Sequence, residues 1–163
     1  MAEEKVVVKN LTKSFGDLLV LDDISFSVKK GEFLCIVGPT GCGKTTFLNS
    51  LSKIIDIDKG SILLNGEQVN PKKHDLEYIL KEYHEFQWLK VEQNVANGLK
   101  IKGVDKETIS QRVEETLKMV NLVDFRKAYP RELSASMLQR LSIARSFATQ
   151  PDLLLMDEPS GQL

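Results

Sequence analysis

A glycine-rich segment at residues 38–46 carries the clearest chemical pattern in the sequence. It reads GPTGCGKTT, matches the spacing G-x-x-x-x-G-K-T, and follows an apolar, β-branched run at 33–37. Glycines let backbone N–H groups come close to an anion, so this loop predicts a nucleotide-phosphate site. Lys44 is expected to contact the β- and γ-phosphates and Thr45 to bind Mg²⁺, at the start of a helix whose dipole favours the anion. The expected phosphate-binding residues are Gly38, Pro39, Thr40, Gly41, Cys42, Gly43, Lys44, Thr45 and Thr46.

A second pattern is an apolar run at 153–156 that ends in Asp157 and Glu158. A buried strand of this kind places both carboxylates at the carboxyl edge of a sheet. There Asp157 can hold Mg²⁺ through water, and Glu158 can polarise a water molecule for attack on the γ-phosphate. Alone this pattern is weak evidence; together with the glycine-rich loop, it predicts nucleotide chemistry.

The composition fits one soluble globular domain. The chain has 163 residues, 42% of them hydrophobic and 28% charged, and its net charge of −1 offers no basic surface for nucleic acid. No apolar run approaches the roughly 18 residues of a membrane span, and the N-terminus lacks a signal-peptide pattern. Cys35 and Cys42 fall in a predicted buried strand and in the loop, so we expect reduced thiols in a cytosolic protein.

Periodicity outlines the elements that must position these residues. Strands are predicted at 6–8, 18–21, 24–28 and 33–37, then at 60–64 before an Asn65-Gly66 turn, at 76–80 and at 153–156. From about 81 to 132 the pattern becomes helical, with one helix opening near Asp105. A second long helix follows Pro130 and ends near Gln150.

Together these motifs resemble the nucleotide-binding domain of ATP-binding cassette (ABC) proteins, along the whole chain and in the same order. Phe15 falls where that family stacks an aromatic ring on adenine, although a core or turn phenylalanine is the alternative. Residues 133–137 occupy the position of the L-S-G-G-Q signature, including Ser134, which implies contact with ATP held by a second subunit. The segment around Trp88 looks like the family's P-W-x-T-V-x-x-N-V segment, which lies against the permease in importers.

The resemblance implies an α/β P-loop NTPase fold: a RecA-like parallel sheet core, an N-terminal antiparallel β portion and an inserted α-helical subdomain. We expect one partial domain, with the core at 1–80 and 137–163, the helical subdomain at 81–136, and the C-terminal strands missing. The implied ligands are ATP and Mg²⁺, with Lys44 and Glu158 catalytic and Thr45 and Asp157 on the metal. The implied partners are a second nucleotide-binding domain and a transmembrane permease subunit, with the chain on the cytoplasmic face of the membrane. Nitrate, sulfonate and taurine importers look closest.

The sequence also departs from the family pattern. The signature glycines and glutamine, G-G-Q, are replaced by Ala135, Ser136 and Met137. The added Cβ atoms obstruct a close approach of the backbone, and any of these residues that needs a positive φ adopts it at an energetic cost. We therefore expect this segment to close less tightly over the ATP held by the partner subunit. A homodimer would carry this defect at both sites, whereas a heterodimer with an intact partner would keep one complete site.

Two further departures concern the Q-loop and the end of the chain. Lys81 stands where the family's Q-loop glutamine should be, unless Gln87 takes that role. No switch histidine follows Glu158, and His74 and His84 are expected at the surface. The absent mid-sheet strand would leave two parallel strands without their shared neighbour.

Three rival functions follow. A catalytically degenerate, ATP-binding regulatory subunit, or an inactive fragment, fits the altered signature. Soluble ABC proteins of translation or DNA repair usually carry tandem domains, long coiled coils or basic segments, and none is evident here. A small P-loop kinase would not need the helix-opening motif at residues 133–137.

Overall fold

The computed structural model describes residues 3–81 and 85–159. The chain divides into two compact units, Met1–Leu76 and Glu77–Leu163. The glycine-rich loop belongs to the first unit, and the Asp157–Glu158 pair belongs to the second.

An antiparallel sheet with the strand order β2-β1-β3-β4 forms the first unit. Its strands are β1 (Glu4–Phe15), β2 (Leu18–Lys29), β3 (Lys59–Leu64) and β4 (Glu67–Gln68). Because successive side chains of a strand point to opposite faces, alternate apolar residues become buried. Val6 and Val8 of β1 are buried in this way, as are Ile62 and Leu64 of β3. Val6 lies opposite Leu64, and Val8 opposite Ile62.

Two glycines make the β3 hairpin possible. The predicted Asn65-Gly66 turn joins β3 to β4, and both residues adopt left-handed backbone angles, with φ of 54° and 80°. Such angles suit the tight turns of β-hairpins. Gly60, with φ of 90°, starts β3 so close to β1 that a Cβ atom would collide with the backbone of Lys9 and Asn10. The predicted strand and turn are both confirmed.

The predicted strand at 33–37 does not form. The segment has no regular secondary structure, and Phe33 and Val37 are 79% and 85% exposed. Cys35 is therefore an exposed free thiol, and its predicted burial is wrong. A strand needs a neighbour that takes up its backbone hydrogen bonds, and no strand in the described ranges pairs with this segment.

Helix α1 (Lys44–Leu51) begins at the residue where the sequence predicts it. Phe47 and Leu51 bury its apolar face, and the Phe47 ring packs 5.5 Å from that of Phe26 on β2. The helix ends at Leu51, and Ile54 beyond it is exposed. The helix therefore fixes the end of the glycine-rich loop against the sheet.

The second unit is mainly helical. It contains α2 (Val91–Ile101), α3 (Lys106–Met119) and α4 (Ala135–Thr149), with 3₁₀ turns at Val123–Phe125 and Pro130–Glu132. Strands β5 (Leu76–Ile79) and β6 (Leu153–Met156) form a two-stranded sheet. Helices α2, α3 and α4 enclose a core of fully buried leucines: Leu99, Leu117, Leu122 and Leu141. Among the described helices, none is long and apolar enough to cross a membrane.

The helix ends follow local sequence signals. The carboxylate of Asp105 accepts a hydrogen bond from Thr108 N at 2.9 Å and so caps the start of α3. Helix α4 ends at Thr149, and Gln150 adopts a left-handed φ of 52°. Both boundaries agree with the sequence prediction.

One surface prediction fails. His74 is buried, and its Nδ1 accepts a hydrogen bond from Asn70 N at 3.1 Å. A polar side chain can be buried when such a bond satisfies it, which residue type alone does not reveal. His84 lies outside the described residues.

Candidate active site

The glycine-rich loop folds around the side chain of Lys44. The ammonium group of Lys44 donates hydrogen bonds to the carbonyl oxygens of Gly38 at 2.8 Å and Pro39 at 2.9 Å. It also lies 3.7 Å from the sulfur of Cys42. The lysine therefore points back across the loop, and its positive charge lies against the carbonyl oxygens at the start of the loop.

The start of α1 supplies uncapped backbone donors to the same loop. Gly43 is the N-cap residue and has no side chain that could accept from the first turn. The first N–H groups of a helix have no partner within the helix, so they attract anions when no side chain caps them. Gly41 and Gly43 hold φ of 82° and 97°, and a Cβ atom on Gly38 would approach the Cys42 sulfur to 2.7 Å. The loop thus fits a phosphate group: it combines an ammonium group, uncapped N–H donors and little side-chain obstruction.

Phe15 ends β1 beside a cation. Its ring is half-exposed, and the ammonium group of Lys13 lies 5.3 Å from the ring centroid. Lys13 also forms an ion pair with Asp58 at 3.0 Å. An aromatic ring at the surface can stack on a planar ligand, so the position of Phe15 is compatible with the predicted role.

The two acidic residues follow β6, and their environments differ. Asp157 is buried, and its backbone N–H donates to the carbonyl oxygen of Ile79 at 3.0 Å. Glu158 has a left-handed φ of 50°, and its Oε2 lies 2.8 Å from the ammonium group of Lys81. Because Ile79 ends β5 and Asp157 follows β6, the two strands run in the same direction, as a carboxyl-edge site requires.

Tyr78 on β5 is a neighbour of Asp157 that the sequence did not point to. Its hydroxyl group is buried without a hydrogen-bond partner among the described residues. Burial, and to a smaller extent the negative charge of Asp157, raises the pKa of Tyr78 to about 12. Both causes disfavour the phenolate: one removes water, and the other adds a like charge.

The signature-like segment forms the start of α4. Ser134 caps the helix: its hydroxyl accepts from Met137 N at 3.3 Å and lies 3.2 Å from the Ser136 hydroxyl. Ala135 belongs to the first helical turn, and neither it nor Ser136 has a positive φ. The expected backbone strain is therefore wrong, because a helical turn accepts residues with a Cβ atom. The expected steric obstruction stays a prediction.

The loop that contains Trp88 is anchored by one buried side-chain amide, that of Asn94. The side chain of Asn94 donates to the carbonyl oxygens of Phe86 at 3.1 Å and Leu89 at 2.9 Å, and accepts from Phe86 N at 2.9 Å. Trp88 is 73% exposed, and its ring packs against that of Phe86 at a tilt of 52°, with the ring centroids 5.4 Å apart. Gln87 is exposed in the same loop.

Within each unit the structure therefore brings together part of the predicted set. The first unit holds the loop around Lys44, and the second holds Asp157 and Glu158. Sequence reasoning missed the contact of Lys81 with Glu158 and the proximity of Tyr78 to Asp157. A signal did exist, because Lys81 follows one predicted strand as Glu158 follows another, but the pairing of those strands was not known. The end of the acidic motif, residues 160–163, lies outside the described residues.

A model of the ABC transporter family matches residues 21–161 of the sequence. This match covers most of the chain, including the loop, the signature-like segment and the acidic pair. The chain therefore belongs to the ABC transporter family, and the resemblance stated from its motifs is confirmed.

Proteins named as importer subunits are among its relatives. The spermidine/putrescine import ATP-binding protein PotA of Acetivibrio thermocellus is 40% identical over 166 residues, which cover 99% of this chain and 47% of that protein. The sulfate/thiosulfate import ATP-binding protein CysA of Nocardia farcinica is 37% identical over 161 residues, 97% of this chain and 49% of that protein. The chain spans about half the length of the curated relatives it matches. The closer likeness to nitrate, sulfonate and taurine importers stays a prediction.

A solved structure agrees with the fold. A dimeric ATP-binding cassette in a post-hydrolysis state, bound to ADP and Pi, superposes with a TM-score of 0.84 at 27% identity. The match covers 97% of this chain and 75% of that one. The predicted α/β P-loop NTPase class is thereby confirmed.

Proposed function

We propose that the chain is the ATP-binding subunit of an ABC importer, which couples ATP binding and hydrolysis to solute movement through a membrane permease. The observation that carries this proposal is the phosphate loop, with Lys44 folded across it and α1 beginning uncapped at its end. The names of the relatives support import rather than another use of ATP. Relatives of similar identity are named for polyamines and for sulfate, so the residues shared with them do not specify the solute.

In this proposal the loop binds the phosphates of ATP. Lys44 exchanges its carbonyl partners for phosphate oxygens, and the uncapped N–H groups of α1 donate to the same anion. Thr45 and Asp157 offer a hydroxyl and a carboxylate, the oxygen donors that Mg²⁺ prefers. The bound metal would neutralise charge that develops on the phosphates.

Glu158 is the proposed general base. Its carboxylate orients a water molecule and accepts a proton from it, while Lys44 stabilises the phosphoryl group. Asp157, buried beside it, holds the metal and not the water. Phe15 stacks on adenine through its exposed ring.

We also propose that two such domains act together. Ser134, at the exposed start of α4, would meet ATP bound to the phosphate loop of a second domain, whether identical or different. The dimeric structural relative supports this arrangement. The exposed Trp88 loop is the proposed contact with the permease, which would place the chain on the cytoplasmic face of the membrane. Residues 81–136 would then be the helical subdomain and the remainder the catalytic core.

A second function is favoured by one observation. Ala135, Ser136 and Met137 replace the glycines and glutamine of the family signature at the start of α4. Side chains there obstruct a close approach of the helix to a nucleotide, which favours an ATP-binding subunit with little or no turnover. In this alternative the chain binds ATP through the same loop but hydrolyses little or none of it.

The decisive experiment measures binding of Mg-ATP by calorimetry and release of phosphate by the same purified chain. Lys44→Ala is expected to weaken binding about 10- to 100-fold, because it removes charge-assisted hydrogen bonds. Glu158→Gln is expected to bind normally and to lower turnover at least about 100-fold. Lys73→Ala is the matched control, since Lys73 is an exposed lysine that pairs only loosely with Glu67 at 3.8 Å.

The outcomes separate the proposals. Binding that depends on Lys44 together with turnover that depends on Glu158 supports the importer ATPase. Binding that depends on Lys44 without any turnover supports the degenerate subunit. Binding unaffected by Lys44→Ala would contradict both.

A further inference from the structure

The carboxyl ends of β5 and β6 bring a lysine and a glutamate together. Asp157 N donates to the carbonyl oxygen of Ile79, so the two strand ends lie side by side. Lys81 is the second residue after β5, and Glu158 is the second residue after β6. Their side chains meet, with Lys81 Nζ 2.8 Å from Glu158 Oε2. Strand pairing therefore places a cation on the carboxylate that is the proposed base.

The backbone around Glu158 directs this contact. Glu158 has a φ of 50°, a left-handed conformation that residues other than glycine adopt only at an energetic cost. The next residue is also held, because the side chain of Gln139 on α4 donates to the carbonyl oxygen of Pro159. The Glu158 side chain thus leaves a turn that follows β6 and is bonded to α4, and it meets Lys81.

The contact opposes the chemistry expected of a base. A general base must accept a proton on a carboxylate oxygen. An ammonium group at hydrogen-bond distance occupies that oxygen, so a water molecule cannot donate a hydrogen bond to it from the same direction. While the ion pair is closed, the attacking water therefore lacks this oxygen as its acceptor.

The ion pair between Lys81 and Glu158 can also open readily. The Lys81 and Glu158 side chains are 63% and 40% exposed. Ion pairs at such sites are weak, and salt screens them over a distance of about 10 Å at 0.1 M. The restraint is therefore reversible, unlike that of a buried ion pair.

We propose that Lys81 is a positioning residue that restrains Glu158 through this ion pair, so that hydrolysis requires the pair to open. The inference rests on the proposed role of Glu158 as base. Lys81 thereby sets how fast bound ATP is turned over, and not how tightly it is bound.

The test compares Lys81→Gln with Lys118→Gln in the purified chain. Lys118 is a matched control, since it pairs with Glu114 at 3.2 Å with side-chain exposures of 66% and 35%. At low salt, Lys81→Gln is expected to raise kcat about two- to fivefold, the range for releasing an exposed ion pair, with unchanged Mg-ATP affinity. This advantage should shrink as salt rises from about 0.05 to 0.5 M, because salt opens the pair in the wild type. Lys118→Gln should change neither kcat nor its salt dependence.

The outcomes distinguish this inference from the proposed function. If Glu158→Gln abolishes turnover but Lys81→Gln leaves kcat unchanged or lowers it, the restraint is overturned and the ATPase stands. If the wild type binds Mg-ATP without turnover, the proposed role of Glu158 as base fails, and the inference that rests on it is overturned. If the wild type does not bind Mg-ATP, the proposed function fails and the inference fails with it.

Discussion

The ammonium group of Lys44 donates a hydrogen bond to the carbonyl oxygen of Gly38 at 2.8 Å, so the phosphate loop binds its own lysine. A second bond reaches Pro39 O at 2.9 Å. Two carbonyl oxygens partly satisfy the positive charge without ligand, and this keeps the lysine directed into the loop. A phosphate group that enters the loop needs only to replace these acceptors.

This geometry predicts that charge alone is not sufficient at position 44. Lys44→Arg keeps the charge, but a planar guanidinium group cannot replace a compact ammonium group between two carbonyl oxygens 2.8 and 2.9 Å away. We expect Mg-ATP affinity to fall about tenfold or more, measured by calorimetry. Lys73→Arg serves as the control at an exposed site. Affinity equal to the wild type in Lys44→Arg would mean that only the charge matters.

The buried amide of Asn94 should determine the order of the Trp88 loop. Asn94→Leu keeps the side-chain size but leaves the backbone groups of Phe86 and Leu89 without their partner, so we expect a loss of about 2–4 kcal/mol in the free energy of unfolding in urea. Trp88 is the single tryptophan, so its fluorescence reports directly on the loop. Acrylamide quenching and emission should change in the folded variant.

Gln93→Ala provides a control at the neighbouring residue in the first turn of α2. Gln93 accepts one exposed hydrogen bond from Lys90 N at 2.9 Å, so its loss should change stability by about 1 kcal/mol or less. Equal effects of the two substitutions would show that Asn94 is not the anchor.

Restoring the family signature at the start of α4 should lower the stability of the chain and strengthen its association. The combined change Ala135→Gly, Ser136→Gly and Met137→Gln restores the family signature and removes Cβ atoms from the first turn. Glycine within a helix costs about 1 kcal/mol relative to alanine, so thermal stability should fall. Association in the presence of Mg-ATP should nevertheless become stronger, measured by analytical ultracentrifugation in a Glu158→Gln background that retains the nucleotide.

A Ser134→Ala variant tests whether loss of stability at the start of α4 is by itself enough to strengthen association. Loss of the cap lowers stability by about 1 kcal/mol, and it should not strengthen association. If the restored signature leaves the ATP-dependent association unchanged, the side chains at 135–137 do not obstruct closure.

Tyr78 should make folding sensitive to alkaline pH. Burial, with help from the charge of Asp157, raises the pKa of Tyr78 to about 12 in the folded chain, above the value near 10 of an exposed tyrosine. The folded state therefore keeps the proton that the unfolded state loses. The stabilising contribution is complete below about pH 10 and is lost as the pH rises through about 12.

Ultraviolet absorbance of the phenolate measures this titration. Tyr78→Phe should remove the component near pH 12 and make stability less dependent on pH above about 10. Asp157→Asn should lower the pKa of Tyr78 without abolishing the effect of burial. An unaltered alkaline titration in Tyr78→Phe would assign the late step to another group.

Features that depend on a few neighbouring residues could be predicted from the sequence. The start of α3 at Asp105, the start of α1 at Lys44 and the turn at Asn65-Gly66 all agree with the structure. In each case the deciding interaction is a cap, a helix start or a tight turn formed within a few residues. The loop GPTGCGKTT likewise predicted a nucleotide-phosphate site from its local glycine spacing and lysine, and only together with the other motifs did it indicate the family.

Features that depend on partners distant in the chain could not be predicted from the sequence. Residues 33–37 have the composition of a strand, yet they stay unpaired in the described structure, since a strand exists only through its neighbour. His74 is buried with its Nδ1 bonded to Asn70 N, and its residue type alone does not predict that hydrogen bond. Composition gives a segment or side chain a tendency toward one structure, and the residues that it contacts decide whether that structure forms.

The sequence by itself thus determined the family, and it predicted the glycine-rich loop and the acidic pair as site residues. Only the tertiary structure decided that Lys81 lies against Glu158 and Tyr78 near Asp157. The physical reason is that these contacts join residues on two strands far apart in the chain. Which strands pair, and in which register, is set by packing and hydrogen bonding of whole segments, so a local pattern does not contain that information.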